Sequence, residues 1–198
     1  SDLGFKKGDI LWTTPNTFVA SSNCALHLGG KIDFVDIDYL SGNIDLNLLE
    51  RKLFFAKKKN KLPSILVPVH FSGLPTYQDH IYKLSKKYNF KIIEDASHAL
   101  GGSYKKEKIG SCKFSDLTVF SFHPVKMITT GEGGLITTNN KLLAKKIRLL
   151  RSHGITKDIS DMTKVPNGLW YYEQLELGYN YRMSDINAAL GITQLEKL

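Results

Sequence analysis

The sequence predicts a three-layer α/β domain, a largely parallel sheet with helices on both faces. Three observations predict it. Six short apolar runs alternate with segments whose large aliphatic residues recur at helical spacing. The run Ser64-Ile-Leu-Val-Pro-Val69 has almost no polar alternation, as in a parallel strand covered on both faces. The chain has 198 residues, 42% of them hydrophobic, which is enough for one sizeable core in an ordinary domain or part of a larger one.

Each element has its own signal. Ile10 to Thr14 is a short strand candidate stopped by Pro15. Asn16 or Thr17 then caps a helix carrying Phe18, Val19, Ala25 and Leu28, ended by Gly29-Gly30. Ile32 to Asp36 alternates and reads as a strand. After the Ser41-Gly42-Asn43 turn, Leu46, Leu49 and Leu53 mark a helix whose basic end, Lys57 to Lys61, faces solvent. Tyr77 to Asn89 is a helix with Ile81, Leu84 and Tyr88 on one face. Phe90 to Ile93 is a strand that delivers Glu94 and Asp95 at its carboxyl end. Leu117 to Phe122 is another, and Leu135 to Thr138 pairs with the sheet in either direction. Leu142 to Leu150 and Ser184 to Leu198 are amphipathic helices, and from Arg151 to Gly178 the pattern lapses into a long connection. Such long ordered connections are often functional or lie at interfaces.

Composition excludes several classes. Net charge is +8, yet arginine occurs only at positions 51, 148, 151 and 182. Nucleic-acid readers rely on forked arginine contacts, so no nucleic-acid partner is expected. Basic charge of this kind suits an anionic small molecule. The two cysteines, Cys24 and Cys112, are far apart, and no two histidines have H-x-x-x-H spacing. That pattern predicts no disulfide and no metal site, and a reducing, cytoplasmic setting. The uncharged stretch from Ile10 to Gly30 contains Pro15, Asn16 and Asn23 and makes a poor membrane span. Ser1 stands where a methionine would, and Leu198 falls inside a helical pattern. The expectation is one domain, residues 1–198, cut at both ends.

The chemistry centres on Phe120-Ser-Phe-His-Pro-Val-Lys126, which leads from a strand into a turn and ends at Gly131-Glu-Gly-Gly134. In open α/β sheets, ligands sit beyond the carboxyl ends of the strands. Asp95 and Lys126 each follow a strand, so one pocket is offered a carboxylate and an amine. Pyridoxal phosphate uses that pair, an amine for its Schiff base and a carboxylate facing the pyridine nitrogen. Any α/β protein offers several such pairs, so the spacing alone is unspecific. The glycine cluster lacks the G-x-x-x-x-G-K spacing of a phosphate loop and reads as a backbone requirement around the lysine turn. No G-x-G-x-x-G follows a strand, which disfavours a dinucleotide-binding module.

Several separated motifs, in order, resemble the DegT/DnrJ/StrS family of sugar aminotransferases. They are Thr17-Phe-Val-Ala-Ser21, Val67-Pro-Val-His70 with Gly73, Glu94-Asp-Ala-Ser-His-Ala-Leu-Gly101, the Phe120–Lys126 segment, Gly131-Glu-Gly-Gly134 and Leu177-Gly-Tyr-Asn-Tyr-Arg-Met-Ser-Asp185. Val35 to Asn43, Trp170-Tyr-Tyr-Glu173 and Ala189 to Leu195 are most similar to its pseudaminic-acid branch. The resemblance implies the large domain of a fold-type-I, pyridoxal-phosphate-dependent aminotransferase. It implies L-glutamate as amino donor, and a UDP-linked 4-keto-6-deoxy-N-acetyl sugar as acceptor at carbon 4. It also implies a homodimer with shared active sites.

By position, Lys126 would form the Schiff base and Asp95 would pair with the pyridine nitrogen. His98 would lie near the phenolic oxygen, Phe18 would stack on the ring and Ser121 would donate to the phosphate. Asn180 or Arg182 would reach the phosphate of the neighbouring subunit. The resemblance also implies a preceding segment with a Gly-Thr motif and a smaller C-terminal domain, which these residues do not include. Two other readings remain at this point, an aminotransferase for a different keto sugar and a non-catalytic cofactor-binding domain.

Overall fold

Residues 3–198 are described by the computed structural model. In chain order the elements are β1 (Ile10–Thr13), α1 (Ala20–His27), β2 (Lys31–Phe34), α2 (Leu46–Lys58), β3 (Ile65–Leu66), α3 (Gln78–Tyr88) and β4 (Lys91–Asp95). There follow β5 (Ser103–Tyr104), β6 (Glu107–Lys108), β7 (Leu117–Ser121), β8 (Gly134–Thr137), α4 (Lys141–Arg151), β9 (Ile155–Thr156), β10 (Glu173–Gln174) and α5 (Asp185–Leu195). Six strands form one sheet in the order β2-β1-β3-β4-β7-β8. The first five run parallel, and β8 lies antiparallel to β7 with Ser121 opposite Gly134. The direction of β8 follows from its connection, which doubles straight back instead of crossing over through a helix. Phe122 N–H bonds the Gly133 carbonyl at 2.9 Å and continues the ladder into the loop.

One face of the sheet is packed by α2 and α3. Asp45 caps α2 by accepting from Leu48 N–H at 2.9 Å. Leu49, Leu53 and Ala56 then recur on the buried side. Ile81, Leu84 and Tyr88 do the same for α3, and these two stripes close on Trp12, Leu66 and Ile92 of the sheet. Each fully buried leucine or isoleucine contributes about 1.5–3 kcal/mol. The opposite face carries Leu11, Ile65 and Val67, packed against Phe5 and Ala25 of α1. Between α1 and α4 this face keeps a groove of about 890 Å³, lined by Leu11, Cys24, Ile65, Leu117, Leu135 and Ile147 among others. Among the described residues no helix is long and apolar enough to cross a membrane.

Three of the boundaries that differ from the sequence reading bear on the site. First, α1 begins at Ala20 with Val19 at its N-cap and no side-chain cap. Thr17 spends its hydroxyl on Ser21, 3.0 Å away, instead of on a backbone N–H, so Phe18 lies before the helix. Second, the paired part of the Ser64–Val69 run is only Ile65–Leu66. Pro68 has no N–H to give, although Val67 still bonds Trp12 and Val69 still bridges Asp95. Third, β4 extends to Asp95, so both acidic residues belong to the strand. Within the long connection, β9 and β10 make a small antiparallel pair.

Candidate active site

Strand alternation sends neighbouring side chains to opposite faces, and Glu94 and Asp95 at the end of β4 have different partners. Glu94 is buried, accepting from Thr118 Oγ1 of β7 at 2.9 Å. It lies 3.7 Å from His70 Nε2, which is also within 3.2 Å of Gln78 Nε2. Thr76 N–H donates to His70 Nδ1 at 3.1 Å. This buried cluster ties α3, β4 and β7 together beneath the strand ends.

Asp95 points the other way. Its Oδ2 accepts from Ser21 Oγ at 2.6 Å and its Oδ1 from Ser97 N–H at 3.1 Å. Its backbone is held on both sides, N–H to the Pro68 carbonyl at 2.9 Å and carbonyl from His70 N–H at 3.0 Å. The carboxylate is therefore fixed at the carboxyl end of the sheet.

Asp95 is paired with Val119, so Ser121, two residues further along β7, shares the Asp95 face. Its Oγ accepts from His123 N–H at 3.3 Å. Lys126 sits in the turn after β7, half-buried, with its N–H bonded to the His123 carbonyl at 2.9 Å. The loop that carries it is heavily tied down. Thr130 N–H and Thr129 Oγ1 both donate to the Phe122 carbonyl at 3.0 Å, and Thr130 Oγ1 donates to the Glu132 carbonyl at 2.8 Å. Asn187 of α5 reaches across to donate to the carbonyls of Thr130 and Glu132. At Gly133 an added Cβ would lie 2.3 Å from Thr130 Oγ1 and 2.8 Å from Met183 Cε. The glycine cluster answers to close backbone approach behind the lysine turn.

The remaining candidates divide. Phe18 is 76% exposed, so it is neither core nor on the helix, and it stands three residues before Ser21. His98 lies three residues after Asp95 in the turn that leaves β4, with its side chain exposed. The His98 carbonyl presses on Gly73, where a Cβ would approach it to 2.8 Å at a φ of +83°. Asn180 and Arg182 are exposed at the far end of the long connection, beside the end of α4, where Asn180 bridges Ser152. Among the described residues neither is hydrogen-bonded to Asp95, Ser121 or Lys126. Sequence reasoning gave no role to Ser21 or Asn187. The four-residue spacing of Thr17 and Ser21 was the available signal for the first, and only the folded chain brings Asn187 to the loop.

The sheet is mostly parallel, with Asp95 ending β4 and Lys126 in the turn after the neighbouring β7. The fold is that of the fold-type-I pyridoxal-phosphate-dependent aminotransferases. The chain belongs to the DegT/DnrJ/EryC1/StrS aminotransferase family, which residues 1–198 match. A UDP-4-amino-4,6-dideoxy-N-acetyl-beta-L-altrosamine transaminase from Campylobacter jejuni is 50% identical over 196 residues, 99% of this chain and 48% of the relative. Helicobacter pylori PseC, an aminotransferase involved in the biosynthesis of pseudoaminic acid, superposes with a TM-score of 0.82 at 36% identity, covering 96% of this chain and 47% of that one. The PLP-form of a putative sugar aminotransferase from Streptococcus pneumoniae superposes with a TM-score of 0.78 at 28% identity, over 98% of this chain and 50% of that one. The chain spans about half the length of the curated relatives it matches.

Proposed function

We propose that residues 1–198 are the cofactor-binding large domain of a pyridoxal-phosphate-dependent transaminase. Its amino donor is L-glutamate, and its acceptor is carbon 4 of a UDP-linked 4-keto-6-deoxy-N-acetylhexosamine. One observation carries the reading. A carboxylate fastened at the end of β4 shares its face of the sheet with Ser121 of β7, and Lys126 stands in the turn that follows.

The donor set fits pyridoxal phosphate. Asp95 is acceptor-only and already oriented, which suits a pyridinium N–H through a charge-assisted hydrogen bond. Ser121 offers a hydroxyl for the phosphate, and Phe18 a ring free to lie against the cofactor. His98, exposed in the turn three residues after Asp95, would serve the phenolic oxygen. Bound, the cofactor supplies an electron sink for charge developing at the carbon beside the amine. The Lys126 amine would take the proton from that carbon of the donor and, in the second half-reaction, would deliver one to carbon 4 of the sugar on one face. Exposed Asn180 or Arg182 would complete the phosphate site of a second subunit, so the working form is a homodimer. The substrate class rests on the similarity to the Campylobacter transaminase and on the Val35–Asn43 and Trp170–Glu173 segments. The two cysteines are free, which accords with a reducing cytoplasm.

The test supplies the full-length protein with L-glutamate and the 4-keto sugar nucleotide and locates the new nitrogen by NMR. Nitrogen at carbon 4, with 2-oxoglutarate released in equal amount, is expected. Nitrogen at carbon 3 would place the protein on a different keto sugar. Loss of a hydroxyl without amination would remove it from the transaminases.

A further inference from the structure

We propose that Ser21, backed by Thr17, is a positioning residue for Asp95 that keeps its carboxylate aimed at the cofactor's ring nitrogen. The inference rests on the assignment of Asp95 given above and adds the group that holds it.

The geometry sets a direction for the hydrogen bonds. Ser21 Oγ lies 2.6 Å from Asp95 Oδ2, and an ionised carboxylate only accepts. The single proton of Ser21 is therefore spent on Asp95. Thr17 Oγ1, 3.0 Å from Ser21 Oγ, must then be the donor of that pair. The relay runs from Thr17 to Ser21 to Asp95. Ser97 N–H occupies one lone pair of the other oxygen. Two donors on two oxygens stop the carboxylate from turning about its last bond, yet each oxygen keeps a lone pair free.

The backbone under the relay is equally fixed. Ser21 is 8% exposed and its N–H bonds the Phe18 carbonyl at 3.1 Å. The turn that steadies Asp95 is thus the turn that presents the Phe18 ring. A helix-packing role alone would not call for two hydroxyls in series ending on a carboxylate. Pre-orientation of this kind matters most for a bond that must strengthen as charge develops.

The experiment uses the full-length enzyme loaded with pyridoxal phosphate labelled with ¹⁵N in the ring. Ser21→Ala, Ser21→Thr, Thr17→Val and Asp95→Asn are compared for kcat, KM, cofactor affinity and the ¹⁵N resonance. Losing a hydrogen bond to a charged group costs about 10- to 100-fold. Ser21→Ala is expected to lower kcat by about that factor, with little change in KM. Its ring-nitrogen resonance should move toward that of Asp95→Asn. Ser21→Thr, which keeps the hydroxyl, is expected to recover much of both, and Thr17→Val to fall between. Unchanged kcat and resonance in Ser21→Ala, with Asp95→Asn nearly inactive, would overturn the role of Ser21 alone. A loss confined to cofactor affinity, with the resonance unmoved, would assign Ser21 to structure and also overturn it. Normal kinetics in Asp95→Asn would remove the assignment of Asp95, and this inference with it.

Discussion

Two acidic residues adjacent in sequence are put to opposite uses. Glu94 is spent inside the protein, on Thr118 and beside His70. Asp95 is held by Ser21 and Ser97 on the opposite face, the one proposed to meet the cofactor. A third acid, Asp79, shows what a carboxylate does for the fold alone. It stands in the first turn of α3 and accepts from Lys105 Nζ at 2.8 Å and from the Tyr104 hydroxyl. These two hydrogen bonds hold its pKa at about 2, below the ordinary 3.8, and burial, followed by the hydrogen bond to Asp79, pushes the Tyr104 hydroxyl upward. A depressed carboxylate contributes stability that is present above its unfolded pKa and is lost as pH falls through the folded one. The loss from Asp79 therefore belongs between about pH 4 and pH 2. With Lys105 largely exposed, the contribution is about 1–2 kcal/mol. Urea unfolding of the wild type and Asp79→Asn across that window should show the difference between them shrinking as pH falls. Parallel curves would mean that the ionised Asp79 carboxylate contributes no stability through its depressed pKa.

At the scale of elements, strongly periodic segments were legible and the site's finer geometry was not. The stripes Leu49-Leu53 and Ile81-Leu84-Tyr88 could be read because one buried face per helix leaves a 3.6-residue period. The ends failed where side-chain chemistry overrode local rules. Thr17 looked like a cap and is a member of a relay. Pro68 split a strand whose burial continues past it, from Val67 to His70. The lysine turn was legible as a turn, from Pro124 and the glycines. Its rigidity was not, because Asn187 joins it from 55 and 57 residues away. The face of Ser121 follows only from the register of its strand against β4, set by the Asp95–Val119 pair. Phe18 and His98 are both exposed, which the sequence pattern alone does not specify.

The whole molecule leaves much apolar surface uncovered. Ile186, Ile192 and Leu195 of α5 are exposed, and so are Leu169, Trp170 and Leu177 of the long connection. Exposed patches of this kind mark surfaces that meet other protein, and relatives twice as long supply more chain to meet them. The proposed dimer can be tested by mixing full-length Lys126→Ala chains with Asn180→Ala chains. If Asn180 serves the partner's site, a mixed dimer gathers both lesions in one site and frees the other. Activity should then return in part. No return after proven subunit exchange would put Asn180 in its own chain's site.

Every role proposed here depends on Lys126 being the amine that the cofactor binds. Treating the full-length enzyme, loaded with pyridoxal phosphate, with borohydride and then mapping its peptides tests this directly. The pyridoxyl group should be found on the peptide containing Lys126 and on no other. A label on another lysine, with Lys126 unmodified, would contradict the assignment and move the active site elsewhere.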